Sequence, residues 1–156
     1  MISQIVTLVG VLIGALTSYL ATATAERARH HRAMATRWDE KKLATYIEYA
    51  SCVKEVADLS KRAWRAREGS ESREEFLAAM EEAELRRSTL FETLVLLASP
   101  AAIACAYEVN LAVWVGLEAA RDHVTPPERD FSALMNAYHE QARLDLGIPR
   151  TDPRPG

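Results

Sequence analysis

The side chains able to do chemistry in this chain are few and scattered. The histidines stand at His30, His31, His123 and His139, and the two cysteines at Cys52 and Cys105. A di-metal carboxylate centre in a helical protein needs Glu-x-x-His pairs on facing helices, and the sequence contains none. His139 and Glu140 are neighbours, so on a helix their side chains point about 100° apart. Both His139 and His123, the latter near a helix end, read as surface residues. No C-x-x-C pair suggests redox or zinc chemistry, and the wide separation of the cysteines points to buried free thiols rather than a disulfide framework. Gly-rich phosphate loops, G-x-S-x-G elbows, H-E-x-x-H and kinase signatures are also missing from the sequence. The expectation is a protein that is not an enzyme, with no catalytic, metal or cofactor-binding residues.

Polar residues on apolar helical stripes remain to be placed. Asn110 falls on such a stripe, where one amide more often fixes packing register than binds a ligand. A ligand sensor or enzyme with a pocket in the helices is the alternative, and would need polar groups converging near Tyr107, Asn110 and Trp114. The acidic run Glu68, Glu71, Glu74, Glu75, Glu81, Glu82 and Glu84 is interleaved with Arg73, Arg86 and Arg87, as on a solvated helix face with i,i+4 pairs. Arg87 lies on an apolar stripe, and is expected at its edge with the stem packed and the guanidinium near an acid.

The elements that carry these residues begin with an uncharged stretch. Glu26 is the first charged side chain, and Ile5 to Ala25 reads IVTLVGVLIGALTSYLATATA. At about 1.5 Å per residue that is enough helix to cross a hydrocarbon core of roughly 30 Å. A cleaved signal peptide is the rival, because Ala21-Thr22-Ala23 has the small-x-small form of a cleavage site. Against it stand the uncharged start, MISQ, and the basic cluster directly after the apolar run. From Glu26 to Lys42, Arg27, Arg29, Arg32, Arg37, Lys41 and Lys42 outnumber three acids, a net of +3. The excess puts the following chain in the cytoplasm and the N-terminus outside, and forms a basic flank able to meet anionic headgroups. Gly10, Gly14, Ser18 and Thr22 recur every four positions on one face of the span, a small-residue seam for packing against a second copy or another membrane protein.

The remainder reads as an antiparallel cytoplasmic bundle of about four helices over residues 43–147, after a basic juxtamembrane helix over 26–42. No proline or glycine interrupts Ala15 to Glu68, so the span is expected to run unbroken into the first bundle helix. That helix shows the face Leu43, Tyr46, Ala50, Val53, Ala57, Ser60 and Trp64, with Gly69 as a left-handed C-cap. A capping box at Ser72-Arg73-Glu74-Glu75 opens the second, with Phe76, Met80, Ala83, Leu90, Leu94 and Leu97 on its stripe. Ser99-Pro100 caps the third, whose face is Ile103, Tyr107, Asn110, Trp114 and Leu117, widened by Ala106, Val113 and Ala120. Thr125-Pro126-Pro127 repeats the device before a fourth helix that carries Phe131, Leu134, Met135, Tyr138, Ala142 and Leu146 and ends at Gly147. The segment from Ile148 to Gly156, IPRTDPRPG, is expected to be disordered. Short connections make successive helices antiparallel.

The segments TRWDEKKLATYIEYASCVKEV (Thr36 to Val56), LLASPAAIACAYEVNLAVW (Leu96 to Trp114) and YHEQARLDLGIP (Tyr138 to Pro149) resemble a group of uncharacterised single-span helical membrane proteins from high-GC actinobacteria. The resemblance implies the same anchor-plus-helices layout and brings no assigned activity or functional residue. With a formal net charge of −3 the chain is not expected to bind nucleic acid. The expected partners are the lipid bilayer and either a second copy or another membrane protein, and the expected role is an adaptor, assembly or regulatory factor. A membrane-active accessory protein of a mobile element is a further alternative.

Overall fold

The computed structural model describes residues 37–149, and among them there are four α-helices and no strand. They are α1 (residues 37–65), α2 (Glu71–Leu97), α3 (Pro100–Arg121) and α4 (Phe131–Asp145). The chain divides into two compact units between Glu40 and Lys41. The second holds the bundle; of the first, only residues 37–40 are described, and they are helical. The N-terminal span, its seam and its continuity with α1 lie outside the described residues, as do residues 150–156 of the tail.

Contacts between helix ends establish an up-down-up-down order. Asp145 at the end of α4 binds Lys42 near the start of α1 and the Ser99 N–H at the start of α3. Arg73 at the start of α2 reaches the carbonyl of Ala120 at the end of α3. Ser60 Oγ, late in α1, lies 3.3 Å from Met80 Sδ, early in α2. Each successive pair of helices is therefore antiparallel, as short connections dictate.

The core is built on α1, where Tyr46, Tyr49, Val53, Val56, Ser60 and Ala63 are buried at steps of three and four. Such a stripe holds one helix face against its neighbours, and full burial of one large apolar side chain stabilises by about 1.5–3 kcal/mol. Thr45 and Ser60, also buried, satisfy their hydroxyls on the carbonyls four residues back, at 2.9 and 2.8 Å. Met80, Ala83 and Leu94 of α2, then Ala102, Ala106, Val109, Val113, Leu117 and Ala120 of α3, and Met135, Tyr138 and Ala142 of α4 close around that stripe. Leu43 and Trp64, expected on the α1 face, are half-exposed or partly exposed, and Tyr49 and Val56 hold the inner positions instead.

Helix boundaries follow local chemistry, with three corrections. Ser70, not Ser72, caps α2: its hydroxyl accepts from the Arg73 N–H at 3.3 Å, and the helix has begun by Glu71. Asp130, not Thr125, caps α4, accepting from the Ala133 N–H at 2.9 Å, so the two prolines belong to the connection. Gly69 does adopt a positive φ of 71°, but inside the α1–α2 turn, where Ser70 N–H bonds Arg67 C=O, and the helix has already ended at residue 65. Ser99-Pro100 behaves as expected, with serine as N-cap and proline in the first turn of α3. Gly147, at φ 74°, closes α4 with a Schellman pair, Ile148 N–H to Arg143 C=O and Gly147 N–H to Leu144 C=O.

The end of the bundle near Asp145 is pinned by one carboxylate. It accepts from the Tyr46 hydroxyl, from Lys42 Nζ at 2.9 Å and from the Ser99 N–H at 2.9 Å. Burial pushes its pKa up, but these three donors and the Lys42 charge outweigh burial and leave it below the ordinary carboxylate value. A depressed acid contributes stability that is complete above its unfolded pKa, near 3.9, and is lost as pH falls through the folded value. Urea unfolding of the full chain should therefore show stability declining below about pH 4, and the Asp145→Asn variant should be less stable at pH 7 with a flatter acid limb. An unchanged acid limb in the variant would remove Asp145 from this role.

Candidate interaction surface

Beneath the surface of α2 and α3 lies a closed set of polar contacts. Arg87 is only 8% exposed and forms a two-pronged pair with Glu84, Nε to Oε2 at 2.7 Å and Nη2 to Oε1 at 2.6 Å. Its remaining Nη1 donates to Asn110 Oδ1 on α3, and the Tyr49 hydroxyl of α1 reaches the same oxygen at 2.6 Å. Three helices are thus tied through one amide, which is the register role expected of Asn110. Arg87 is buried instead of lying at the stripe's edge, although its guanidinium does meet an acid. Burial lowers its pKa, and the Glu84 pairing more than compensates, so the net direction is upward.

Arg73 makes a second clamp. Its Nη2 donates to the Ala120 and Arg121 carbonyls at 2.7 and 3.3 Å, and its Nε to His123 Nδ1 at 3.3 Å. The last carbonyls of α3 lack helical partners and carry the negative end of the helix dipole, so a guanidinium there satisfies both. His123 itself sits at φ 54°, the left-handed position following the α3 C-cap, with Val124 N–H returning to Ala119 C=O. Among the described residues no buried side-chain nitrogen or oxygen is left without a hydrogen bond. Cys52 is buried and free, Cys105 is free and partly exposed, and no group of three His, Cys, Asp or Glu among the described residues is placed to hold a metal ion.

The apolar side chains, by contrast, are not all used. Tyr107 and Trp114, expected on the inner face of α3, are 60% and 49% exposed. The inner face is the offset stripe of small and branched residues from Ala102 to Ala120, so Tyr107 and Trp114 do not converge with Asn110 on a pocket. With Leu111 they line the outside of α3 at i, i+4 and i+7. Leu85, Val95 and Leu96 are exposed on α2, at 72%, 40% and 84%.

These six residues share one surface. Arg121 bonds Glu81 at 2.8 and 2.6 Å across the two helices, and Arg87 meets Asn110 further along, fixing an antiparallel register. At about 100° per residue, Leu85, Val95 and Leu96 lie within about 60° of the Glu81 direction, and Trp114, Tyr107 and Leu111 within about 80° of Arg121. Carboxylates stand among them: Glu81 and Glu118 share Arg121, and Glu92 is exposed about 20° from the Glu81 direction, whereas Glu108 lies on the α4 side, where it and Glu140 act on Cys105. The Arg121 guanidinium also lies over the Trp114 ring, 5.7 Å from its centroid. Its hydrogen bond and charge hold the Glu81 carboxyl below the ordinary range.

Apolar clefts lie on other sides of the bundle. One of about 410 Å³ runs between α1 and α4, floored by Tyr46, Ala50 and Tyr138 and rimmed by Leu43, Ile47 and Ile148. A smaller one, about 150 Å³, lies between Trp64, Gly116 and Pro126. Both linings are predominantly apolar.

The sequence-predicted site residues are distributed as follows. Gly10, Gly14, Ser18 and Thr22, with Arg27, Arg29 and Arg32, lie outside the described residues. Arg37 and Lys41 are exposed, whereas Lys42 is committed to Asp145. The exposed α2 residues Leu85, Val95 and Leu96 were not marked by the sequence, and their helix has no pronounced apolar side that would have drawn attention to them.

The fold and surface define a class, an all-α bundle of antiparallel helices with an apolar outer surface on its second and third members. Comparison of the chain with protein families, curated proteins and solved structures finds no match. Among the described residues, α3 is the one helix long and apolar enough to cross a membrane. Its 22 residues would extend about 33 Å. In the bundle it gives seven buried side chains to the core and keeps an exposed apolar side.

Proposed function

We propose that this chain is a cytoplasmic helical bundle tethered to the membrane by Ile5 to Ala25, N-terminus outside, and that it acts through protein–protein interaction as an adaptor, assembly or regulatory factor. The observation that carries the interaction reading is the α2/α3 surface, where six large apolar side chains stay in water while the polar interior is closed on itself. Apolar exposure gathered on one side of a folded domain marks an interaction site, because its burial against a partner is favourable and its hydration is not. The tether reading is supported by the uncharged length of the first 25 residues, the +3 flank that follows them and the resemblance described above. The seam at Gly10, Gly14, Ser18 and Thr22 adds a contact within the bilayer, to a second copy or to another membrane protein.

Substitution on the exposed side tests the interaction reading without disturbing the fold. Tyr107→Glu and Leu85→Glu change stability by no more than about 0.5 kcal/mol, as surface replacements usually do. Each should abolish the phenotype that complementation by the wild-type gene restores in a deletion strain, at unchanged protein level. Full complementation by the double variant would contradict the reading. For the tether, alkaline carbonate should leave the chain in the membrane fraction; its release as soluble protein would exclude a spanning segment.

A further inference from the structure

The chemistry of the α2/α3 surface restricts what can cover it. From Leu85 to Leu96 it extends about 16 Å along α2, the length of three helical turns. Three turns of a partner helix present anchors at i, i+3 or i+4, and i+7, matching the spacing of Tyr107, Leu111 and Trp114 opposite. Around these anchors stand Glu81, Glu92 and Glu118, and among the described residues Arg121 is the one cation on this side, a net of −2. Arg121 is already shared between two of the three carboxylates and lies over Trp114, so it offers little to an incoming acid. A second copy placed symmetrically would bring the same negative rim against itself, and an anionic bilayer surface would likewise be repelled. A helix with a basic rim is attracted.

We infer that the α2/α3 surface docks a basic amphipathic helix of a partner protein, its apolar face against Leu85, Leu96, Tyr107, Leu111 and Trp114 and its Lys and Arg side chains over Glu81, Glu92 and Glu118. This rests on the interaction reading above and adds the chemistry of the partner. Burial of the apolar strip supplies affinity, and the acidic rim supplies selection against acidic or neutral helices.

The test uses the full chain in nanodiscs of phosphatidylcholine, so that the bilayer itself attracts no cation. The probes are two Leu-rich amphipathic helices of about 18 residues with identical apolar faces, one with Lys on its polar face and the other with Glu. The Lys probe is expected to bind and to shift Trp fluorescence, at least about tenfold more tightly than the Glu probe, and to weaken as salt is raised. The decisive variant is Tyr107→Glu, which makes the rim more acidic while breaking the apolar strip. It should weaken the Lys probe about tenfold or more, whereas indiscriminate attraction to negative charge would strengthen it. Glu92→Gln should weaken the Lys probe and, by relieving repulsion, strengthen the Glu probe.

Equal binding of both probes, or undiminished binding by Tyr107→Glu, would overturn the basic-helix inference. So would failure of both probes to bind while a photo-crosslinker at position 111 in native membranes yields a discrete adduct, including a dimer of this chain; the interaction reading would then survive alone. Failure of both probes together with no adduct would remove the interaction reading and the inference with it.

Discussion

Replacing Arg87 by alanine is expected to cost about 3–5 kcal/mol of folding stability, the range for breaking a buried ion pair by deleting one partner. The loss would exceed that of any surface pair in the protein. Glu84, with its side chain 14% exposed, would lose its partner in a poorly hydrated place, and Asn110 would lose the donor that joins α2 to α3. The exposed pair Arg62–Asp58, with 58% of each side chain exposed, is worth well under about 1 kcal/mol by comparison. Removing both charges, as Arg87→Met with Glu84→Leu, should restore most of the loss, because the penalty lies in the orphaned carboxylate more than in the missing attraction. Urea unfolding followed by the helical circular dichroism of the full chain in detergent gives both numbers. A double variant as unstable as Arg87→Ala would show that the Asn110 and Tyr49 contacts carry the energy instead.

The second large effect belongs to Tyr138. Its side chain is fully buried, with ring centroids 5.9 Å from Tyr46 and 5.3 Å from Tyr49, and its hydroxyl donates to the Tyr46 carbonyl at 3.1 Å. Truncation to alanine removes the ring that joins α4 to α1 and should cost about 3–5 kcal/mol, whereas Tyr138→Phe removes only one neutral hydrogen bond and should cost about 1 kcal/mol. Burial, then the neighbouring Tyr49 and Tyr46, pushes the Tyr138 hydroxyl well above its ordinary value. An acid with a raised folded pKa contributes stability that is present below its unfolded value and lost above it, so the wild type should weaken as pH climbs past about 10. Tyr138→Phe should weaken less steeply there. Equal costs for the alanine and phenylalanine variants would assign the effect to the hydroxyl and contradict the packing argument.

The pattern of residues made the helices legible and left their faces partly ambiguous. Ser99-Pro100 and Gly147 could be placed because each acts locally, through a cap hydroxyl, a fixed φ or a left-handed turn. Met80, Ala83 and Leu94 could be placed because their spacing puts them on a single side of α2. On α3 two apolar stripes fit the helical period equally well, one through Tyr107 and Trp114 and the other through Ala102, Ala106, Val109 and Val113. The fold uses the second, because its small side chains let α3 approach Tyr49 closely enough for the Tyr49 hydroxyl to lie 3.0 Å from the Ala106 carbonyl. Periodicity alone does not measure that clearance. The same limit hid the two clamps: Arg73 and Arg87 sit in an acid-rich stretch that reads as a solvated face, and their partners, the Ala120 carbonyl and Asn110, lie 47 and 23 residues further along the chain on α3. Competing caps decided the rest. Ser70 and Ser72 are both plausible starts, and so are Thr125 and Asp130, and packing selects between them.

The interaction surface was visible only after folding. Tyr107, Leu111 and Trp114 look like core residues in a chain that is 49% hydrophobic, and become a binding feature once the alternative stripe is seen to fill the core. The central claim, that function lies on this outer side of α2 and α3, is met most directly by site-specific photo-crosslinking in native membranes. A photoreactive residue at Leu85, Tyr107 or Trp114 should give one discrete protein adduct, and the same residue at Leu144, exposed on α4, should give none. Adducts of equal yield at all four positions, or at Leu144 alone, would contradict the account.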